Sequence, residues 1–369
     1  MNKPASTFLP EINLIRGMAC VSVVVMHSVT SQNYAMGLPA VQKLFLFATP
    51  VFLFISAFLM FYRYPDTIPS YFMKRRVQYI LIPYLIWSIT YSYLITWTYQ
   101  HRLPTAWEVT KNALTGQYHI YFILIIFQYF LLFMLLHKLN WQYAMGKHWV
   151  LIVTFIFNLL YLAFFTFIEP DTFARLWTEY FGTQLSTPLL YSIWGRYYFI
   201  LFPAWIFYFV LAGYLAYNYD RWQAFILKYK WWIFLLLVVA GYLVVISIQH
   251  GRITSKRPEV FLYTMVVLAA MFLISNWIQN NWIGRTFHWI ARYSFGIYLA
   301  HPMFYTIFHF YYKGVHPYLY FTYSFVIQLG GALLLTLVLS KLPFGKFIVG
   351  KLQKKPPKHA NTSTNTAQM

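Results

Sequence analysis

Arg16 and His27 stand eleven positions apart in one apolar stretch, LIRGMACVSVVVMHSV. On an α-helix that spacing advances about 1100°, nearly three full turns, so both side chains share one face about 16 Å apart along the axis. A hydrocarbon core is about 30 Å thick, so the separation is roughly half of it. Ionisable groups inside a membrane helix are costly and face a protein interior or a wet cavity. A guanidinium holds phosphate in a planar fork. A neutral imidazole takes a proton from an attacking hydroxyl. The pair therefore suits an anionic donor held near one surface and attacked deeper along the same face. Each residue also has a plainer reading: a snorkelling arginine, and a histidine bonded to a neighbouring helix.

Further polar groups sort in the same way. Ser294, Tyr298 and His301 are spaced i, i+4, i+7 and share a face of a late apolar segment. His119 opens another segment in GQYHIYF, and Arg75 and Arg76 precede a third in YFMKRRVQYILIPY. Alone, the two arginines fit the rule that basic residues flank membrane helices on the cytoplasmic side, Tyr298 fits interior packing, and His119 fits an interfacial position.

These residues must be positioned by membrane helices. Of the 369 residues, 60% are hydrophobic and only 10% charged, where a soluble domain carries about 25% charged residues. The expected fold is all-α: a polytopic bundle with about ten membrane segments, near 13–32, 44–62, 79–99, 118–137, 149–168, 198–217, 231–249, 259–278, 288–310 and 319–341. The net charge of +20 does not point to nucleic acid, because the bases flank apolar segments instead of forming one soluble face. Single Cys20 lies in an apolar run and can form neither an internal disulfide nor a cysteine metal cluster, and no metal site is expected. No cleavable-signal pattern precedes the first segment, which should remain as a membrane helix.

With a cytoplasmic N-terminus, 18 bases fall on the inner side and nine on the outer, Arg16 completing the 28; this bias predicts both termini inside. Arg16, Arg75 and Arg76 then collect at the inner face and His27, His119 and His301 in the outer half. The connection 169–197 is long enough to have structure of its own. The chain divides into a membrane domain, 1–352, and a basic, polar cytoplasmic tail, 353–369, expected to be disordered and to suit contact with anionic membrane lipid. No internal repeat and no second soluble domain is visible.

These stretches resemble the acyltransferase-3 family of integral membrane acyltransferases. Its first-helix hallmark, Arg, ten residues, His, matches Arg16 to His27. VFLFISAFLMFY resembles the second-helix FF-x-L-S-G-F-L signature, with Ala57 for its glycine. YFMKRRVQYILIPYLIW resembles the basic run that ends in proline before helix 3, and His119-Ile120-Tyr121-Phe122 the family's H-L-W-F. ARYSFGIYLAHPMF resembles the late S-x-G-I-Y-L-x-H-P motif. The nearer arginine that many members carry before the helix-3 proline is absent, and Tyr79 and Ile80 occupy that region. Within the family, YILIPYL, GQYHIYFILIIFQYF and WIFYFVLAGYLAYNYDR look most like the intercellular-adhesion polysaccharide protein C group, linked to extracellular poly-N-acetylglucosamine as its O-acyltransferase or its exporter.

The resemblance implies a multi-pass plasma-membrane enzyme that moves an acetyl or succinyl group from acyl-CoA to a hydroxyl of a cell-envelope carbohydrate or glycolipid, with no tightly bound cofactor. It implies His27 as catalytic base or acyl relay. Arg16, Arg75 and Arg76 would be donor ligands, and His119, Ser294, Tyr298 and His301 would line the acceptor side. A glycosyltransferase encoded nearby would be a natural partner. A polysaccharide exporter or flippase built on the same bundle is the alternative.

Overall fold

The computed structural model describes residues 8–29, 37–248, 253–312 and 316–352; every regular element among them is helical. The α-helices run α1 (Pro10–Ser28), α2 (Leu38–Leu44), α3 (Ala48–Arg63), α4 (Phe72–Arg76), α5 (Ile82–Gln100), α6 (Ala106–Thr115), α7 (Tyr121–Lys138), α8 (His148–Phe167) and α9 (Pro170–Phe181). They continue as α10 (Thr187–Ser192), α11 (Tyr198–Ile200), α12 (Ile206–Tyr217), α13 (Tyr219–Lys228), α14 (Lys230–Ser247), α15 (Pro258–Ile278), α16 (Trp282–Tyr311) and α17 (Pro317–Ser340). Each of the ten expected apolar segments coincides with one or more of these helices. The tail 353–369 lies outside the described residues.

Among the described residues, seven helices are long and apolar enough to cross a membrane, and a bent pair, Thr187–Ile200 with Phe202–Tyr217, turned by 50°, makes an eighth if its two limbs form one span. Leu201 is extended at the bend, and Pro203 stands in the first turn of the limb that follows, where its missing N–H costs no helical bond. The connection 169–197, expected as an outer loop with structure of its own, is helical in α9, but its second half belongs to the first limb of this bent pair. Helices α1 and α16 are 19 and 30 residues long, but their polar residues, the candidate site among them, keep them outside that apolar set.

Burial separates core from periphery. In their most apolar stretches 78% of Leu38–Arg63 is buried, against 11% of α8 and 17% of α14; α3 is therefore core, and α8 and α14 present apolar side chains to lipid. α1 packs on α16 and α3, and α16 on α17.

The α1–α16 contact depends on Gly17. A Cβ there would lie 2.3 Å from the Phe287 carbonyl oxygen, a backbone atom that cannot rotate away. Small residues at membrane helix crossings allow such approach. Gly17→Ala should force the helices apart, one residue from Arg16, at a cost of about 1–3 kcal/mol. A lowered unfolding midpoint of the detergent-solubilised protein is the expected result; an unchanged midpoint would mean the crossing is looser than it looks.

Two depths matter for the site. Gln328 Nε2 donates to Ser28 Oγ at 3.2 Å and to Ser324 Oγ at 2.8 Å. Ser28 ends α1, whereas Gln328 lies eleven residues into α17, so the end of α1 is sunk about 16 Å below the start of α17. At the other end, Tyr79 stacks on Phe347 and Trp87 Nε1 donates to the Ile348 carbonyl at 3.0 Å. The last described segment therefore lies near Arg76, at the basic end of the bundle.

Candidate active site

Three imidazoles meet at the sunken end of α1. His27 occupies the last turn of α1, His301 lies in α16, and His119 sits in a single 3-10 turn, Tyr118–Ile120, ahead of α7. Ring centroids are 5.3 Å apart for His27 and His301, and 5.2 Å for His119 and His301. Tyr298 closes the group: its hydroxyl donates to the His119 carbonyl at 2.5 Å, and its ring lies 5.5 Å from that of His119. Tyr91 stands edge-on to His119 at 5.0 Å, and Phe122 packs on Tyr298 at 5.1 Å.

The His-Pro dipeptide sets the chemistry of His301. Pro302 has no N–H to give to the carbonyl four residues back, that of Tyr298. The carbonyl so freed lies 2.9 Å from His301 Nδ1, which also lies 3.2 Å from the Ile297 carbonyl. Two acceptors fix the proton on Nδ1 and leave Nε2 with its lone pair. His301 Nε2 is buried and unpartnered, as is His119 Nε2. Buried polar atoms are nearly always paired, so two open imidazole nitrogens in neighbouring rings are free to exchange a proton with a bound molecule.

His119 reaches the group through a strained turn. Gly116 ends α6 at φ 58°, and Tyr118 also lies in the left-handed region at φ 66°, which costs a tyrosine about 1–3 kcal/mol. Arg196 holds the turn in place. It lies in the π-helical stretch Ile193–Tyr197, and its guanidinium donates to the Thr115 carbonyl at 3.0 and 2.8 Å and to the Gly116 carbonyl. A cation satisfies the orphan carbonyls at a helix C-terminus. Tyr84 Oη adds a bond to the Ala113 carbonyl at 2.5 Å.

Ser294 is not brought to the histidines. Its hydroxyl donates to the Ala291 carbonyl at 2.9 Å, and its own carbonyl faces Cys20 Sγ at 3.8 Å. It shares the face of Tyr298 and His301, as the spacing predicts, but lies two turns nearer the basic end. Among the described residues no group of three or more His, Cys, Asp or Glu side chains is arranged to hold a metal ion.

At the basic end Arg16 lies within charge-interaction range of Arg63 and Arg76. The Arg76 guanidinium covers the rings of Phe72 and Phe130 at 4.7 and 5.0 Å, and its Nε is buried and unpartnered. A π-helical turn, Val77–Leu81, follows it, where Pro83 cannot supply the N–H that the Tyr79 carbonyl would accept. None of Arg16, Arg63 and Arg76 forms an ion pair among the described residues. Asp66, three residues from Arg63, is taken by the Tyr143 hydroxyl at 2.9 Å. Three mutually repelling guanidinia with no ion-paired carboxylate among the described residues have the chemistry to hold an anion. Arg75 is also within charge-interaction range of Arg76, but it is exposed, with its guanidinium over Tyr71 at 4.0 Å. Arg63, which was not among the candidate donor ligands, lies within charge-interaction range of Arg16 and Arg76. Its only signal was a base closing the second apolar segment.

An apolar groove of about 360 Å³ lined by Phe225, Trp232, Leu236 and Met265 carries no polar chemistry.

Residues 9–342 match the family model for an acyltransferase domain, acyltransferase 3. A Bacillus subtilis (strain 168) protein named as a membrane-bound acyltransferase is 29% identical over 312 residues, covering 80% of this chain and 81% of that one. A Staphylococcus aureus (strain MRSA252) protein named for poly-beta-1,6-N-acetyl-D-glucosamine export is 29% identical over 79% of this chain and 81% of its own. A Staphylococcus epidermidis protein of the same name is 28% identical over 79% and 80%. No solved structure matches. With its all-helical, multi-pass build and its family model spanning nearly the whole chain, the protein belongs to the acyltransferase-3 family and is a membrane acyltransferase of the non-aminoacyl kind.

Proposed function

We propose that the protein transfers an acyl group from acyl-CoA, bound at a cytoplasmic basic end, to a hydroxyl of a cell-envelope polysaccharide that enters from the outer side. The observation that carries this reading is the division of labour along α1: unpaired guanidinia gather about Arg16, and open imidazole nitrogens gather about His27. Phosphates of the donor would lie on Arg16, Arg63 and Arg76. Its extended thioester arm would follow α1 over the roughly 16 Å to the histidines. There the acceptor oxygen attacks the acyl carbonyl while an imidazole, His27 in first place, takes the hydroxyl proton. The carbon–sulfur bond breaks, and the departing thiolate receives that proton, giving an ester and free CoA. Tyr298, His119 and His301 would shape the acceptor side. Acetyl and succinyl are the acyl groups that suit this reading.

The donor assignment is tested by Arg16→Lys, which keeps the charge and the apolar stem but loses the planar fork. Losing one forked, charge-assisted contact costs about 1.5–3 kcal/mol, so the apparent KM for acyl-CoA should rise about 10- to 100-fold, with the acceptor KM little changed. Donor kinetics equal to the unmodified protein would make Arg16 a snorkelling residue.

The names of the staphylococcal relatives favour a second reading, export of the polymer itself. Cells carrying His27→Ala separate the two. Polymer outside the cell at normal amount but without its ester groups supports transfer; polymer retained inside supports export.

A further inference from the structure

Glu11 stands in the first turn of α1, one of only eight acids in the chain, and neither cluster described above uses it. A directed chain of donors ends on it. Asn276 Nδ2 donates to Gln223 Oε1 at 3.2 Å, and Gln223 Nε2 donates to the Tyr219 hydroxyl at 2.9 Å. The Tyr219 hydroxyl in turn bonds the Glu11 carboxylate. Burial first, and then the carboxylate beside it, push the Tyr219 phenol up and keep it a donor. One carboxylate oxygen, Glu11 Oε2, is buried and unpartnered.

Two more polar atoms nearby share that condition. Trp222 Nε1, three residues after Tyr219, and Ser275 Oγ, in the residue before Asn276, are buried and unpartnered. Trp222 stands edge-on to Phe272, one turn before Asn276, so its ring lies where α13 packs on α15, within one turn of the tyrosine that meets Glu11 of α1. The place adjoins the guanidinia. Tyr219 packs on Tyr62 at 5.8 Å, Tyr62 stacks on Phe58 at 5.6 Å with planes 14° apart, and Arg63 is the next residue.

The structure assigns to Glu11 and Trp222 the recognition of the purine base of a nucleotide donor, the adenine of the acyl-CoA proposed above; the assignment rests on that donor reading. An adenine edge offers an exocyclic amine that donates and a ring nitrogen, N7, that accepts. The open Glu11 oxygen matches the first and the Trp222 N–H the second. Aromatic faces beside them suit a flat base, and the phosphates of the same molecule would reach Arg16, Arg63 and Arg76. A donor without a nucleotide, such as an acyl phosphate, would leave these atoms unpaired.

The test uses the full-length protein in lipid nanodiscs and three donors that carry one acyl group: acyl-CoA, acyl-4′-phosphopantetheine, which lacks the nucleoside, and acyl-CoA with hypoxanthine in place of adenine. In Glu11→Gln the carbonyl oxygen keeps the Tyr219 bond, so an amide N–H₂ replaces the open oxygen. The KM for acyl-CoA should rise about tenfold while acyl-4′-phosphopantetheine is used as before, because a site built for a hydrogen bond rejects a partner that leaves it unpaired. The hypoxanthine donor, which presents a carbonyl oxygen there, should gain on acyl-CoA relative to the unmodified protein. Trp222→Phe keeps a ring and removes only the N–H; it should raise the KM of both nucleotide donors and spare the truncated one. Equal losses for all three donors in both variants would make the network structural and overturn the assignment. An unmodified protein that uses none of the three donors would instead overturn the acyl-CoA reading itself.

Discussion

Replacing His27 by alanine should lower kcat for acyl transfer by about 10²–10⁴, the usual contribution of a positioned general base. The KM for the donor should hardly move, because the imidazole stands about 16 Å along α1 from Arg16, where the proposed reading puts the donor phosphates. A packing role predicts another pattern. His27 is half-buried, and its ring neighbour is His301 at 5.3 Å; truncating it would lower thermal stability and protein amount while each surviving molecule kept its turnover. Single-turnover transfer per mole of folded protein separates the two outcomes. A rate within a few-fold of the unmodified protein would remove His27 from the chemistry.

What the sequence exposes of this site depends on whether local geometry alone places a residue. Arg16 and His27 lie on one helix, so its pitch is enough to put them on one face. His301 and Pro302 are neighbours, and the loss of one N–H follows from the proline wherever the helix goes. His119 is different. It reaches His301 through a left-handed Tyr118 and a clamp from Arg196, about 80 residues later in the chain, and no local pattern encodes that meeting. Arg63 escaped notice for a related reason: it is a lone base closing an apolar run, and nothing local tells which neighbours such a terminal side chain meets. The same ambiguity hides which spans are core. α8 and α3 read alike as apolar runs, yet one faces lipid and the other is buried. Ser294 shows the limit of a shared face, because seven residues along α16 are about 10 Å of depth, enough to set it beside Cys20 instead of the histidines.

His301→Asn should abolish most of the activity, about 10²-fold or more, while leaving the fold intact, and the reason lies in which nitrogen does what. An asparagine amide reaches about as far as Nδ1 of histidine, so its N–H₂ can still donate to the Tyr298 carbonyl that Pro302 leaves free, where His301 Nδ1 now stands at 2.9 Å. A purely structural histidine would therefore be replaced well. Nothing in asparagine reaches the position of Nε2, the buried atom that has no partner. If Nε2 orients or takes the acceptor proton beside His27, its loss falls on kcat, while unfolding temperature and donor KM stay near their original values. His301→Gln reverses the substitution, placing an amide near Nε2 and none on the Tyr298 carbonyl; a carbonyl left unpaired costs about 1–3 kcal/mol, so that variant should lose stability as well as rate. Equal, small effects of both variants on kcat would show that His301 packs against His27 and His119 without taking part. Loss of stability in the asparagine variant would show that Nδ1 is not held as the geometry indicates.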